Sequence, residues 1–358
     1  MNVRCFLRPI FLLVLSVSFL GVSVFAVPPS LFNFQYGLSN ICFFNSLLQN
    51  LYNMQSLTVA LFSENVGGDA VMKAYKDVVQ SFYKGEKEDN KIVSLYNEMI
   101  AEGASCGMVA GNQEDLVIPL GQIFGLRTVV ASKVNSTECR VVYGLNNAKN
   151  AFVKRNTVVK LFTPEVFLLL SPESDTLKGC LEKYFSGVID PDLEYEEIGD
   201  ISKKREVAVV MRQLAGNLPE FLIINLKRYL TPPEVALPTR VARAVAPAFE
   251  IDLRSFVHDA PLKSVAQYNL IGVSLHLGPL TSSGHYTAYI KDQYDSNRSW
   301  YYCNDSSITL VSDLAGMENA IAKNGYLFFY RRKDKEEASI AAQVLEPLAR
   351  SLKNIATT

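Results

Sequence analysis

The sequence predicts an α+β fold, and three observations carry that reading. Apolar residues recur at helical spacing through residues 31–125, short β-branched and aromatic runs take over from about Arg127, and the two textures follow one another in the chain. Helices first and an antiparallel strand series second is the order of an α+β protein.

Bulk composition supports a globular body. With 358 residues, 49% of them hydrophobic, 20% charged and only 15 prolines, the chain can bury a large core and is neither disordered nor fibrous. A net charge of -1 gives no electrostatic footprint for nucleic acid or an anionic membrane.

The elements follow in order. Residues 1–26 carry Arg4 and Arg8, the apolar run "PIFLLVLSVSFLGVSVFA", and the small residues Val24 and Ala26. This is the pattern of a secretory signal peptide cleaved after Ala26; roughly 17 apolar residues is short for a membrane anchor, which is the alternative if the segment stays attached. Phe43, Leu47, Leu48 and Leu51 predict a helix that begins near Cys42, and "AVMKAYKDVVQSFYKG" repeats the spacing. "RTVVAS", "RVVYG" and "TVVKLF" read as strands, and "DTLKGCLEKYFSG" as a helix capped by Asp175 or Ser174 and ended by Gly187. "FLIINLKRYL", "YNLIGVSLHLG", "HYTAYIKD", "WYYCND" and "GYLFFYRR" are the clearest strands, residues 231–249 a connection, and residues 334–358 a charged helix or tail. The domain expectation is therefore a signal peptide over 1–26, a catalytic domain over 27–333 and the tail.

Cys5 would leave with the signal, and Cys42, Cys106, Cys139, Cys180 and Cys303 would remain. An odd number in an exported protein leaves a thiol without an intramolecular partner, and the wide spacings exclude a compact disulfide scaffold. A thiol enzyme needs a base and a group to orient it. Of the three histidines, His285 enters a strand straight after Gly284, and Asn304 and Asp305 end the next strand 19 residues on. Two adjacent antiparallel strands would bring them together, and a helix N-terminus would favour the Cys42 thiolate. Taken singly, each residue also suits a structural role as a buried thiol, a satisfied histidine or a turn. Together they give the Cys, His, Asn order of a papain-like thiol hydrolase.

The same residues resemble the ubiquitin-specific proteases. "NICFFNSLLQNL" from Asn40 through Leu51 is similar to their cysteine box, and "YNLIGVSLHLG", "GHYTAYIKD" and "WYYCND" to their histidine box. "LPEFLIINLKRY" and "GYLFFYRR" resemble two further strands, "QEDLVIPL" weakly resembles the Q-x-D-A-x-E-F-L helix, and the likeness spans about residues 34–332.

The resemblance implies a papain-like hand with a helical thumb, an antiparallel β palm and a finger region. It implies Cys42 as nucleophile, His285 as general base and acid, and Asn304 as orienter, with Asp305 in support or in its place. It implies that Asp115 binds the basic tail of ubiquitin, and that His276, Gly284 and Tyr286 line a narrow channel for that tail. Hydrolysis would break the isopeptide bond after the last glycine of ubiquitin through a thioester, with no cofactor and with ubiquitin or ubiquitinated proteins as partners.

Four departures qualify this. The family's oxyanion-hole Asn, five residues before the Cys, is Gly37 here, so either Asn40 takes the role or backbone N–H groups carry it alone. The tail-binding helix has Ile118 where a Glu is expected. Residues 160–217 hold only Cys180, so the finger is expected to be short and without zinc. Finally, an export signal is unusual in a family of cytosolic and nuclear enzymes; an exported protein of a host-associated bacterium that meets host ubiquitin would reconcile the two. A protease for another ubiquitin-like modifier or a peptide, and an inactive ubiquitin-binding module, are the alternative functions.

Overall fold

The computed structural model describes residues 28–31, 40–54, 56–58, 60, 67–84, 89–104, 108–123, 132–146, 151–159, 166–190, 208–230, 238–280, 283–292 and 299–336. The expected signal peptide, Gly37 and residues 337–358 of the tail lie outside them. Among the described residues, no helix is long and apolar enough to cross a membrane.

The helical part comprises α1 (Cys42–Asn53), α2 (Ala70–Lys84) and α3 (Asp89–Gly103). α1 is buried on every side from Cys42 to Leu51, the signature of a central helix rather than a surface one. Burying Phe43, Phe44, Leu47, Leu48 and Leu51 contributes about 1.5–3 kcal/mol each. α2 and α3 enclose it with Val71, Tyr75 and Val78, and with Leu95, Tyr96 and Met99. A π-helical turn follows at Ile118–Ile123.

Fourteen strands are described. Four of them, β1 (Glu138–Asn146), β2 (Ala151–Val159), β4 (Val188–Asp190) and β5 (Ala208–Leu214), form an antiparallel sheet in the order β2-β1-β5-β4, the counterpart of the expected finger. "RVVYG" thus lies in a strand as expected; residues 127–131 of "RTVVAS" lie outside the described residues, and Ser132–Val134 is helical.

The palm sheet contains β3 (Leu168–Leu170), β6 (Phe221–Leu226), β9 (Glu250–Asp252), β10 (Gln267–Leu280), β11 (Ser283–Lys291), β12 (Trp300–Asn304), β13 (Ser307–Leu310) and β14 (Gly325–Arg332). Its order is β13-β12-β11-β10-β14-β6-β3, with β9 on β10, and every pair is antiparallel except β3 with β6. A separate pair joins β7 (Tyr229–Leu230), at the end of the expected strand "FLIINLKRYL", to β8 (Thr239–Arg240), which lies within the region expected to be a connection.

Side chains alternate across the palm with period two. Phe221, Ile223, Leu327 and Phe329 join the core shared with the thumb, while Leu222, Ile224, Phe328 and Tyr330 join a second core on the opposite face. That second core is covered by α4 (Leu177–Phe185) and α5 (Leu314–Asn324). Strands buried on both faces explain the continuous apolar runs of "FLIINL" and "YLFFY". The cap of α4 differs from expectation. Thr176 accepts the Gly179 N–H at 3.0 Å, because buried Leu177 fixes the start of the helix and Asp175 is drawn to Arg243 at 2.9 Å; Ser186, not Gly187, ends it.

Polar side chains fasten α1 to the palm. Ser46 Oγ lies 2.7 Å from Ser274 Oγ, Asn50 donates to Ser274 Oγ at 2.9 Å, and Asn53 donates to the Ile271 carbonyl at 2.8 Å. Gly272 permits that approach, since a Cβ there would meet Asn50 Oδ1 at 2.2 Å.

Candidate active site

Cys42 is the first residue of α1 and only 2% exposed, with Ile41 preceding it in a non-helical conformation. The backbone N–H of Tyr286 donates to its Sγ at 3.4 Å, which brings β11 against the helix start one residue from His285. Burial pushes the Cys42 thiol up to about 11, against the pull of the N–H groups of Tyr286, Phe43 and Cys42 itself, and the negative charge of Asp305 adds to the rise. The helix N-terminus was expected to favour the thiolate. Burial outweighs it, so the resting group is a thiol.

His285 lies on β11, and β12 is its antiparallel neighbour. His285 Nε2 and Asn304 Oδ1 are 2.6 Å apart, so Nε2–H donates and Nδ1 is left for another partner. Asp305 Oδ2 stands 3.8 Å from the same nitrogen, beyond a hydrogen bond. Asp305 has a left-handed φ of 49°, and its Oδ1 accepts from Asn45 of α1 at 2.7 Å. Its turn is also strapped from the N-terminal side, where the Leu31 N–H donates to the Asp305 carbonyl at 3.2 Å and Ser30 Oγ to the Ser306 carbonyl at 2.9 Å.

The opposite side of the thiol is enclosed by residues from three further segments. Gln113 Oε1 faces Cys42 Sγ at 3.9 Å, and Gln113 Nε2 lies 3.2 Å from His276 Nε2. His276 Nδ1 contacts the Tyr229 hydroxyl, which donates to the Gly278 carbonyl at 2.9 Å. The His276 ring stacks on Tyr286 with centroids 4.2 Å apart. Burial, aided by the charges of Arg240 and His285, lowers the pKa of His276 to about 4, so it is neutral at ordinary pH.

Gly284 has a φ of 136°, and a Cβ there would meet the Leu277 carbonyl at 2.5 Å and His276 Nε2 at 3.0 Å. Its lack of a side chain is what lets β10 and β11 converge beside the thiol. Asp115 receives the Tyr326 hydroxyl, which lies 2.8 and 2.7 Å from its two oxygens, and burial raises its pKa against the pull of that hydroxyl and of the Val117 N–H. Asn40, at a left-handed φ of 59°, donates through Nδ2 to the Gly111 carbonyl at 2.9 Å. Its amide thereby braces the turn that leads to Gln113.

The structure thus gathers Cys42, His276, Gly284, Tyr286, His285, Asn304 and Asp305 at one place, and Asp115 reaches the same cluster through Tyr326. Gln113, Tyr229 and Asn45 were not singled out from sequence. Their signals were the first letter of the weak "QEDLVIPL" echo, the end of "NLKRY" and the Asn of "FFNS". Among the described residues no group of three or more His, Cys, Asp and Glu side chains could hold a metal ion.

Comparison with known proteins places this cleft in context. A family profile described as "Ubiquitin carboxyl-terminal hydrolase" matches residues 36–330. The chain belongs to that family. Among curated relatives, "Ubiquitin carboxyl-terminal hydrolase 25" of Arabidopsis thaliana is 28% identical over 170 residues, covering 47% of this chain and 23% of that protein. "Ubiquitin carboxyl-terminal hydrolase 4" of Rattus norvegicus is 35% identical over 133 residues, covering 37% of this chain and 13% of that protein. The matched segments are therefore less than a quarter of those relatives' lengths. Of solved structures, the SAGA DUB module containing Ubp8, bound to monoubiquitin, aligns with a TM-score of 0.64 at 17% identity, covering 85% of this chain and 69% of that one. The same module bound to ubiquitin aldehyde gives the same score. These likenesses show the fold: the thumb and palm described above are those of this hydrolase family.

Proposed function

We propose that the chain is a cysteine deubiquitinase. One observation carries the reading: Tyr286 N–H lies 3.4 Å from Cys42 Sγ, while the adjacent residue in the strand, His285, is held through Nε2 by Asn304 at 2.6 Å. A histidine whose far nitrogen is fixed presents Nδ1 as a base beside a thiol. His285 takes the Sγ proton, the thiolate attacks the carbonyl of the C-terminal glycine of ubiquitin, and the imidazolium returns the proton to the leaving lysine amine. Water then hydrolyses the thioester with His285 again as base. The resting thiol is neutral, so its proton passes to His285 in the course of the attack.

Asn304 orients the ring without adding charge, and Asp305 supports the imidazolium from 3.8 Å. Gly284, His276 and Tyr286 form the wall of a channel narrow enough to favour a tail ending in two glycines. Asp115 meets the basic residues of that tail. Residues 1–26 act as an export signal on the strength of the sequence pattern, and the N-terminal residue of the mature protein tests that directly.

The experiment for the activity uses protein from residue 27 onward, mixed with ubiquitin carrying a thiol-reactive C-terminus and followed by intact mass. One ubiquitin added per chain, and none in Cys42→Ala, is the expected result. Ubiquitin bound without an adduct would make the protein a binding module, and neither adduct nor binding would point to another modifier or a peptide.

A further inference from the structure

Gln113 is 8% exposed, and its amide is wedged between the thiol and a histidine. In the resting pattern Gln113 Nε2–H donates to His276 Nε2, His276 Nδ1–H donates to the Tyr229 hydroxyl, and that hydroxyl donates to the Gly278 carbonyl. Gln113 Oε1 is then the end that faces Sγ, at 3.9 Å, which suits an S–H but not a reaction. Once the proton leaves and a carbonyl is attacked, the negative charge that develops needs donors on this side of the thiol, not an acceptor.

The same side chains satisfy a second pattern. If the Gln113 amide turns by half a rotation and His276 carries its proton on Nε2, that N–H donates to Gln113 Oε1 and His276 Nδ1 accepts the Tyr229 O–H. Gly278 O loses the hydroxyl but keeps Arg240 Nη1 at 3.2 Å. His276, Tyr229 and the Gly278 carbonyl each keep a partner in both patterns. The second pattern aims an amide N–H, in place of a carbonyl, at the reacting centre.

We propose that Gln113 Nε2 is the side-chain donor of the oxyanion hole, brought to bear by this paired amide turn and tautomer exchange with His276. Two candidates for that donor are weakened: residue 37 is a glycine and has no side-chain N–H, and Asn40 spends an N–H on the Gly111 carbonyl. The inference rests on the hydrolase reading. In the acylation step a lone pair of Cys42 Sγ forms the bond to the acyl carbon, and the carbonyl π pair moves onto oxygen, where Gln113 donates. The pair then returns, the carbon–nitrogen bond breaks, and the amine departs with the proton that His285 took from Sγ.

The test compares two reactions of the same thiol in the parent, Gln113→Ala and Gln113→Glu. One is turnover of ubiquitin bearing a C-terminal aminomethylcoumarin; the other is alkylation of Cys42 by iodoacetamide, a displacement that creates no oxyanion. The expected result is a kcat lower by about 100- to 1000-fold in both variants, with KM within about threefold of the parent and, in Gln113→Ala, the alkylation rate held to the same range. Equal losses in the two reactions would make Gln113 a structural support, and an unchanged kcat in Gln113→Ala would remove it from the site. If the parent alkylates but does not turn over ubiquitin, the deubiquitinase reading fails, and the same split on a Leu-Arg-Gly-Gly-aminomethylcoumarin peptide decides the role of Gln113. A parent inert on both substrates overturns both proposals.

Discussion

The thiol of Cys42 sits between two flanks built on opposite principles. On one side, His285 is held by Asn304, with Asp305 3.8 Å away, at the open end of β11 and β12, where the ring is partly exposed and within reach of substrate. On the other, His276 is buried, neutral and stacked on Tyr286, with both nitrogens engaged. The same residue type lies on paired strands, with His276 opposite Tyr286 and Leu277 opposite His285. A one-residue offset in an antiparallel ladder puts side chains on opposite faces, so one imidazole becomes a base and the other a wall.

The sharpest way to break this comparison is at the thiol both flanks share. Cys42→Ala is expected to reduce turnover of a ubiquitin substrate by at least about 10⁴-fold while ubiquitin binding, followed by calorimetry, is retained. Residual turnover within about tenfold of the parent would mean that neither flank serves the chemistry.

The next effect belongs to the open flank alone. Asn304→Ala removes the 2.6 Å partner of His285 and lets the ring rotate away from the thiol, with an expected loss of about 100- to 1000-fold in kcat. KM should hold, because Asn304 sets a proton path and touches no part of the tail channel. A rise in KM with kcat unchanged would reassign Asn304 to substrate binding.

The two flanks also differ in how far they could be read from sequence. "GHYTAY" and "YYCND" are short local patterns at the meeting ends of adjacent strands, so both partners of the open flank are legible in the sequence. The closed flank is assembled over long range: Gln113 and His276 are 163 positions apart, and Tyr229 and His276 are 47 apart. No local pattern distinguishes a Gln that reaches a thiol from one on a solvated turn. The fold shows the same division. Continuous apolar runs made β6, β10 and β14 legible, but the Thr176 cap, the π-helical turn at Ile118–Ile123 and the parallel β3–β6 pair depend on tertiary packing that spacing does not encode.

The closed flank can be isolated by acid. His276 titrates near 4 in the folded protein and near 6.5 when unfolded, so below about pH 6.5 the unfolded chain binds the extra proton and the folded one resists it. Stability is therefore expected to fall with pH between about 6.5 and 4, by up to about 3 kcal/mol from this residue. Urea unfolding at pH 7 and pH 4.5 measures it, with His276→Asn as the variant in which this part of the slope vanishes. An identical slope in parent and variant would show that His276 is not held neutral by its surroundings.

The smallest effect separates the two members of the open flank. Asp305 occupies a left-handed turn, which Asn tolerates, and Asp305→Asn can still accept the Asn45 N–H that now lies at 2.7 Å, so the substitution removes the charge and leaves the turn. That charge opposes ionisation of Cys42 and stands 3.8 Å from His285 Nε2. In a half-open site a lone charge pair is worth about 1 kcal/mol or less, so kcat for Asp305→Asn should lie within about tenfold of the parent. A loss as large as that of Asn304→Ala would transfer the orienting role to Asp305, because a 2.6 Å hydrogen bond would then count for less than a charge more than an ångström farther away.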